Sequence, residues 1–442
     1  MAKKIFDYKK WTILVIIIGV IIRFAFALAH TVSGDACWHL SSARFIATHD
    51  RIPLFEGLGR LQPFWPPPAF HFVAALFYKV FGIINSDTAN ISIKFVSPIF
   101  GTLTAVIAYL IARKLFDKKI AFYSAIFLNF VPLFLDYSIL SYTDSATAFF
   151  SILSVYFLLD KRHILSSASF GVAMLSKYNA IFMFPMLIYL AYKGSSNRRE
   201  RYANLLVVIF LPLLISSAWF IRNFVLLGNP IWPFLNGIFH GVDIGISFNS
   251  ISFNKIFSFA PYLSSYLELF GVPNGNISLL FLYNVPFIKY LLFIWVTSTL
   301  IFIYPFAGGL ILDKNGSKEK KYFLTSVCIL FLSHLFMLFI YLANTGWFGA
   351  RLLLSIVPFM GIIWAKGMNS IKINRAYLFI ILVICAGFIL AEGIKISIAA
   401  REWKVYSQDF EWAKNNSDEK DIFYGNGQCL SYNINRLVVD HE

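Results

Sequence analysis

Along this chain apolar residues do not alternate with polar ones. They run in long blocks separated by short stretches rich in lysine, arginine, proline and glycine. Crossing a hydrocarbon core of about 30 Å takes ~20 apolar residues as a helix. Blocks close to that length lie near 11–30, 93–112, 120–136, 144–159, 164–177, 178–192, 203–221, 287–311, 322–343, 348–365 and 376–397, and they predict eleven crossings. Asp144–Leu159 and Ile164–Lys177 are short for a full span, with only Asp160 to His163 between them.

Composition agrees with the pattern. The 442 residues are 58% hydrophobic, 18% aromatic and only 14% charged, too much apolar surface for one water-soluble core. Lys3, Lys4, Lys9 and Lys10 precede Trp11, but the run that follows is long for a signal segment and has no small-residue cleavage site. It reads as a retained first helix that starts in the cytoplasm. The net charge of +15 belongs to basic cytoplasmic loops rather than to nucleic-acid binding.

Those loops also decide one ambiguous run. Pro68–Ile84 is apolar enough to cross, but counting it would put Arg113, Lys114, Lys118 and Lys119 outside, and every later basic cluster with them. Placing it in the outer interface keeps Lys161/Arg162, Lys193 to Arg201, Lys314 to Lys321 and Lys366 to Arg375 inside. The expected protein is thus an all-α, multi-pass membrane protein with its N-terminus cytoplasmic and its C-terminus extracytoplasmic. A membrane domain over 1–397 carries long outer loops at 31–92 and 222–286. A short outer segment, 398–442, follows, with a helix at Phe410–Lys414 and strands at Asp421–Tyr424 and Leu437–Val439.

Charges at the outer ends of apolar helices are costly and draw attention. Asp35 follows the first crossing and precedes an amphipathic stretch to Thr48; Asp144 follows a polar break and starts a crossing. Each is placed either to cap its helix or to do chemistry. Lys177, Arg222 and Arg351 end on the same side, where they can snorkel to lipid or grip an anionic lipid head group. His39, four residues after Asp35, shares its helical face and suits a base-orienting group, a ligand, or an ordinary surface histidine. An acid to take a proton from an acceptor, with cations to hold a departing phosphate, is the inventory that glycosyl transfer from a lipid phosphate requires.

Cysteines add little: Cys37, Cys328, Cys385 and Cys429 form no C-x-x-C or Cys/His cluster. Cys37 and Cys429 both fall outside and are free to meet, but they read as unpaired small hydrophobes. Few charges sit at the depth of the bilayer centre, Arg23, Glu392 and His334 being the conspicuous ionisable residues in the spans. That disfavours the main alternative, a transporter or flippase of a lipid-linked solute.

The order of these features, over roughly residues 10–370, resembles the GT-C glycosyltransferases, especially the branch of lipid A aminoarabinose transferases and protein O-mannosyltransferases. It rests on Asp35, the helix ending before Arg51-Ile52-Pro53, Trp65-Pro66-Pro67-Pro68, and Tyr142-Thr143-Asp144. It continues through Leu175-Ser176-Lys177-Tyr178, Trp219…Arg222-Asn223…Gly228-Asn229-Pro230 and Gly349-Ala350-Arg351…Pro358. The resemblance implies an inverting transferase using polyprenyl- or dolichyl-phosphate sugars, with a protein, lipid or glycan as acceptor. It implies Asp35 as base or positioning acid, Asp144 as a residue that arranges the site, and Lys177 and Arg351 facing the lipid phosphate. Two departures stand out: no cation precedes Pro66, where the aminoarabinose transferases carry a lysine, and Asp35 is followed by Ala36 where many members have a second acid. The second weakens the case for a divalent metal, and no cofactor is expected.

Overall fold

The computed structural model describes residues 7–55, 63–83, 86–242, 268–269, 302–311, 316–345, 349–370, 375–418, 420–424, 429–434 and 436–439. Helices dominate. In chain order they are α1 Tyr8–Ala29, α2 Asp35–His49, α3 Ala69–Gly82, α4 Ser86–Ser92, α5 Val96–Leu115, α6 Lys118–Phe130, α7 Pro132–Tyr137 and α8 Thr143–Leu159. Then come α9 His163–Met174, α10 Phe184–Gly194, α11 Arg198–Leu227 and α12 Asn236–Phe239, followed by α13 over 302–310. The last are α14 Lys318–Thr345, α15 Val357–Ser370, α16 Arg375–Asn415 and α17 Leu430–Ile434.

Among the described residues, five helical stretches are long and apolar enough to cross a membrane: Tyr8–Ala29, Asp87–Leu115, Arg198–Leu227, Lys318–Leu342 and Phe379–Arg401. The chain is a multi-pass membrane protein. The other expected crossings are shorter or interrupted. The run at 120–136 breaks at Val131–Pro132 into α6 and α7, because proline supplies no N–H to continue the ladder. That at 178–192 opens with a 3₁₀ turn, Tyr178–Met183, and that at 348–365 opens with another, Ala350–Leu353. Most of 287–311 lies outside the described residues.

Two outcomes differ from the sequence reading. Helix α16 runs unbroken from 375 to 415, through the expected boundary at 398, and absorbs the separate helix expected at Phe410–Lys414. Cys37 and Cys429 are not unpaired: they form a disulfide across 392 residues of sequence. It ties α2 to the end of the chain, where strands Ile422–Tyr424 and Leu437–Val439 pair in parallel around α17. Arg44 of α2 reinforces the tie, donating to the Tyr432 carbonyl at 3.2 Å and covering the Tyr432 ring.

Packing centres on α5, α6, α8, α9, α10 and α15, whose inward faces bury residues such as Ala108, Ile126, Leu128, Phe170, Phe359 and Trp364. Helix α3 lies against α2 and α5. Its Phe70 and Ala74 pack on Ala43 of α2 and Phe100 of α5, and its 14 residues rise about 21 Å, short of the ~30 Å core.

Several ionisable groups within the helices find partners. Arg23 of α1 is fully buried, its guanidinium donating to Asn129 Oδ1 at 2.6 Å and the Leu128 carbonyl at 2.8 Å. Gly19 provides the room, since a Cβ there would meet Asn129 Oδ1 at 1.9 Å. Lys395 bridges Asp136 at 2.6 Å and Glu392 at 3.3 Å, and His334 Nε2 meets Ser355 Oγ at 2.9 Å.

Candidate active site

Four segments far apart in sequence converge at the end of the bundle where α2 begins. Gly34 opens α2 with φ 57°, a left-handed backbone that glycine adopts without a Cβ clash. It leaves Asp35 as the first helical residue with no capping bond from its side chain. The carboxylate turns instead to Arg351, whose Nη1 lies 2.6 Å from Oδ2. Asp144 likewise leaves the start of α8 uncapped and meets Lys177 Nζ at 2.5 Å. Both acids are thus held by cations rather than by their own helix termini.

Local folding explains the reach of each cation. Lys177 sits between α9 and the 3₁₀ turn that follows, in extended backbone at φ −161°, ψ 138°. Arg351 lies on the short 3₁₀ turn before α15. Asn179 donates to the Leu352 carbonyl at 3.1 Å, so the turn carrying Lys177 is fastened to the turn carrying Arg351. Arg351 also covers the Tyr142 ring at 5.7 Å.

The electrostatics follow from burial and proximity. Burial pushes the Lys177 ammonium below its ordinary value, Asp144 pulls it back, and Arg351 adds to the lowering. For Arg351, burial acts downward but is outweighed by Asp144 and Asp35, so the guanidinium is held charged. Two carboxylates and two cations make a locally neutral group.

His39 stands one turn beyond Asp35. Its Nδ1 is 3.0 Å from Nε2 of His71 on α3, and its ring stacks on Trp38 and meets Tyr142 edge-on. Burial, then Lys177 and Arg351, lower its pKa to about 3, so it is neutral at physiological pH.

Arg222 is brought close to the site's frame but not to either acid. It donates to the carbonyls of Phe64 at 2.8 Å and Pro53 at 3.2 Å and covers the Trp219 ring at 4.6 Å. Beside it the Tyr178 hydroxyl donates to the Trp65 carbonyl at 3.0 Å and accepts from Trp219 Nε1 and Asn223 Nδ2. The Trp65 proline segment, the Lys177 turn and the Trp219–Asn223 face of α11 are thereby one hydrogen-bonded unit. The backbone N–H of Ala69 adds a bond to the Leu175 carbonyl at 2.8 Å.

One acid went unremarked in the sequence. Glu268 accepts from the backbone N–H of Ala350 at 2.8 Å, next to Arg351, and burial raises its pKa. Its only signal was rarity, a single glutamate within a long loop almost free of acids. Among the described residues no three His, Cys, Asp or Glu side chains come together as a metal site.

Next to the Lys177 turn lies an apolar cavity of about 290 Å³, lined by Met174, Tyr178, Phe182, Phe220, Phe234 and Tyr341 among others. Its wall is almost wholly apolar and includes Tyr178, one residue from the Lys177 cation.

Residues 66–235 match a family of dolichyl-phosphate-mannose-protein mannosyltransferases. No curated protein matches the chain. Among solved structures, ArnT from Cupriavidus metallidurans in the apo state superposes with a TM-score of 0.65 at 12% identity, covering 98% of this chain and 86% of that one. The same protein bound to undecaprenyl phosphate gives 0.64 at 13% identity, with the same coverage. The oligosaccharyltransferase of Archaeoglobus fulgidus gives 0.59 at 14% identity; this chain is covered to 98% and spans 65% of that one.

Proposed function

We propose that this chain, whose fold is that of the GT-C glycosyltransferases, transfers a sugar from a polyprenyl- or dolichyl-phosphate donor to an acceptor at the outer membrane face. The observation that carries the reading is the pair of acid–cation contacts, Asp35–Arg351 and Asp144–Lys177, beside an apolar cavity. A lipid-linked sugar phosphate presents the same two halves, an anion and an apolar tail. The crystal structure of ArnT with undecaprenyl phosphate speaks for that donor class.

The chemistry follows from the arrangement. The donor phosphate takes hydrogen bonds from Arg351 and Lys177, which are stronger to an anion than to a neutral acceptor. Taking Arg351 frees Asp35. Its carboxylate then accepts the proton of an acceptor hydroxyl or amide as that atom attacks the anomeric carbon. The bond from that carbon to the phosphate oxygen breaks on the opposite face, the configuration inverts, and the lipid phosphate leaves on the two cations. Asp144 keeps Lys177 charged and aimed. Arg222 acts one step back, holding the first outer loop against α11 through backbone carbonyls.

In this reading the eleven crossings place the N-terminus in the cytoplasm and the C-terminus outside. The Cys37–Cys429 disulfide supports the outer position of α2, because such bonds persist in oxidising surroundings. Asp144, Lys177 and Arg351 share that face through the ion pairs.

The test is sugar transfer in proteoliposomes from a panel of radiolabelled polyprenyl-phosphate sugars, wild type against Asp35→Asn. Transfer should fall by about 10²–10⁴-fold in the variant while its melting curve stays near wild type. Equal transfer by the two proteins would remove Asp35 from the mechanism. Absence of transfer from every donor would remove the transferase reading.

A further inference from the structure

Two buried histidines meet beside the site, and their contact constrains where protons sit. His71 is wholly buried and His39 nearly so, and His39 Nδ1 lies 3.0 Å from His71 Nε2. Both rings are neutral, because burial disfavours imidazolium at each, with Lys177 and Arg351 adding to it at His39. A contact of that length between two neutral imidazoles holds one proton, which leaves two arrangements. Either His39 Nδ1–H donates to His71 Nε2 and His71 carries its proton on Nδ1, or His71 Nε2–H donates to His39 Nδ1 and His39 carries its proton on Nε2.

The surroundings choose between them. His71 Nδ1 is sealed and makes no well-formed hydrogen bond among the described residues, while the Pro67 carbonyl favours a proton on His71. The ring is otherwise walled by Phe64 and Phe70, edge-on at 5.2 and 5.8 Å. A bare lone pair on Nδ1 facing a carbonyl is the worse choice, so Nδ1 carries the proton and Nε2 accepts. His39 is then the Nδ1–H tautomer, with its Nε2 lone pair left over. That nitrogen belongs to a ring one turn from Asp35 and edge-on to Tyr142, which Arg351 covers.

We propose that His71 is a positioning residue that fixes His39 as the Nδ1–H tautomer, so that His39 Nε2 serves as a hydrogen-bond acceptor for a hydroxyl of the donor sugar or of the acceptor. The inference rests on the transferase reading, since it supplies that reading with a neutral acceptor among charged groups. Asp35 and Arg351 can exchange ionic partners when the donor binds. The histidine pair has no charge to exchange and stays as built. It would select a substrate carrying a hydroxyl at that position over the deoxy analogue, because the unpaired lone pair left by the analogue is costly in a closed site.

The experiment uses the full chain in nanodiscs, ¹⁵N-labelled at histidine, with the His39 signals identified by their loss in His39→Gln. Ring ¹⁵N spectra should report His39 protonated at Nδ1. His71→Leu removes the acceptor and should shift His39 toward the Nε2–H form. His71→Gln places an amide oxygen near the former Nε2 position and should restore the wild-type tautomer. With the donor that supports transfer, His71→Leu should lower kcat by about 10–100-fold with a small change in donor KM, and His71→Gln should recover most of it. Wild-type spectra showing His39 protonated at Nε2 would overturn the proposal. So would transfer by His71→Leu at the wild-type rate, or a loss that His71→Gln fails to rescue while its melting curve matches wild type. Absence of transfer by wild type would instead sink the transferase reading and the substrate role of His39, with the tautomer still read directly.

Discussion

The two acid–cation pairs look alike in distance and differ in everything else. Asp144 is 4% exposed and its partner Lys177 22%; Asp35 and Arg351 are 33% and 32% exposed. The first pair joins α8 to the turn after α9, elements packed directly against each other in the bundle. The second joins α2 to a turn 316 residues further on. Water and ligand reach both members of the second pair, whereas in the first they reach Lys177 and hardly reach Asp144. A sealed pair loses most by being broken, because the abandoned charge has no solvent to turn to. An open pair is cheap to part and can trade one anion for another. The Asp144 side is accordingly framework, and the Asp35 side is where partners change.

Substitutions sharpen that division. Arg351→Ala should reduce transfer by about 10²–10³-fold, or roughly 3–4 kcal/mol, while leaving the melting temperature almost unchanged. A collapse of stability with proportionate loss of rate would assign Arg351 to the frame instead. Asp144→Asn should cost about 2–3 kcal/mol of stability, somewhat less than the ~3–5 of a fully sealed pair because Lys177 is a fifth exposed. Adding Lys177→Met should return much of that stability but none of the activity; failure of the double variant to recover in a melting assay would break the comparison.

Smaller effects lie around the pairs. Arg222→Ala leaves two carbonyls without their donor and should lower stability by about 1–2 kcal/mol, with more effect on KM than on kcat, as limited proteolysis of the first outer loop and steady-state kinetics would show. The smallest is an acid effect. His39 has a folded pKa of about 3, below its ordinary 6.5, so the unfolded chain binds protons that the folded chain refuses. Stability from this residue is therefore present above about pH 6.5 and declines as pH falls toward 3. Melting curves of His39→Gln should show a weaker decline over that window, and an identical decline would exclude the buried imidazole as its source.

The legible part of the site was its charge. Asp35, Asp144, Lys177 and Arg351 stood out because an ion at the end of an apolar helix needs a reason, and the structure brings all four together. Their pairing was not legible, since separations of 33 and 316 residues carry no periodic signal. Arg222 looked like its neighbours for the same cause: a place at a helix end does not say that two carbonyls of another loop wait there. Glu268 has no pattern around it, and the Cys37–Cys429 bond spans 392 residues without any spacing rule. Long apolar helices were readable from their runs, whereas the breaks at Pro132 and at the two 3₁₀ turns divide blocks that hydropathy reads as continuous.

That disulfide also has a topological consequence. Between residues 37 and 429 the chain is a closed covalent ring. A ring threaded through a sheet of lipid must return to the face it left, so it passes through an even number of times whatever the distribution of lysine and arginine. Ten of the eleven apolar runs lie within the ring and one precedes it. Helix α3 cannot be added to those ten as one more passage unless another is withdrawn. The bond between two cysteines thus sets the same arithmetic as the basic loops, by threading alone.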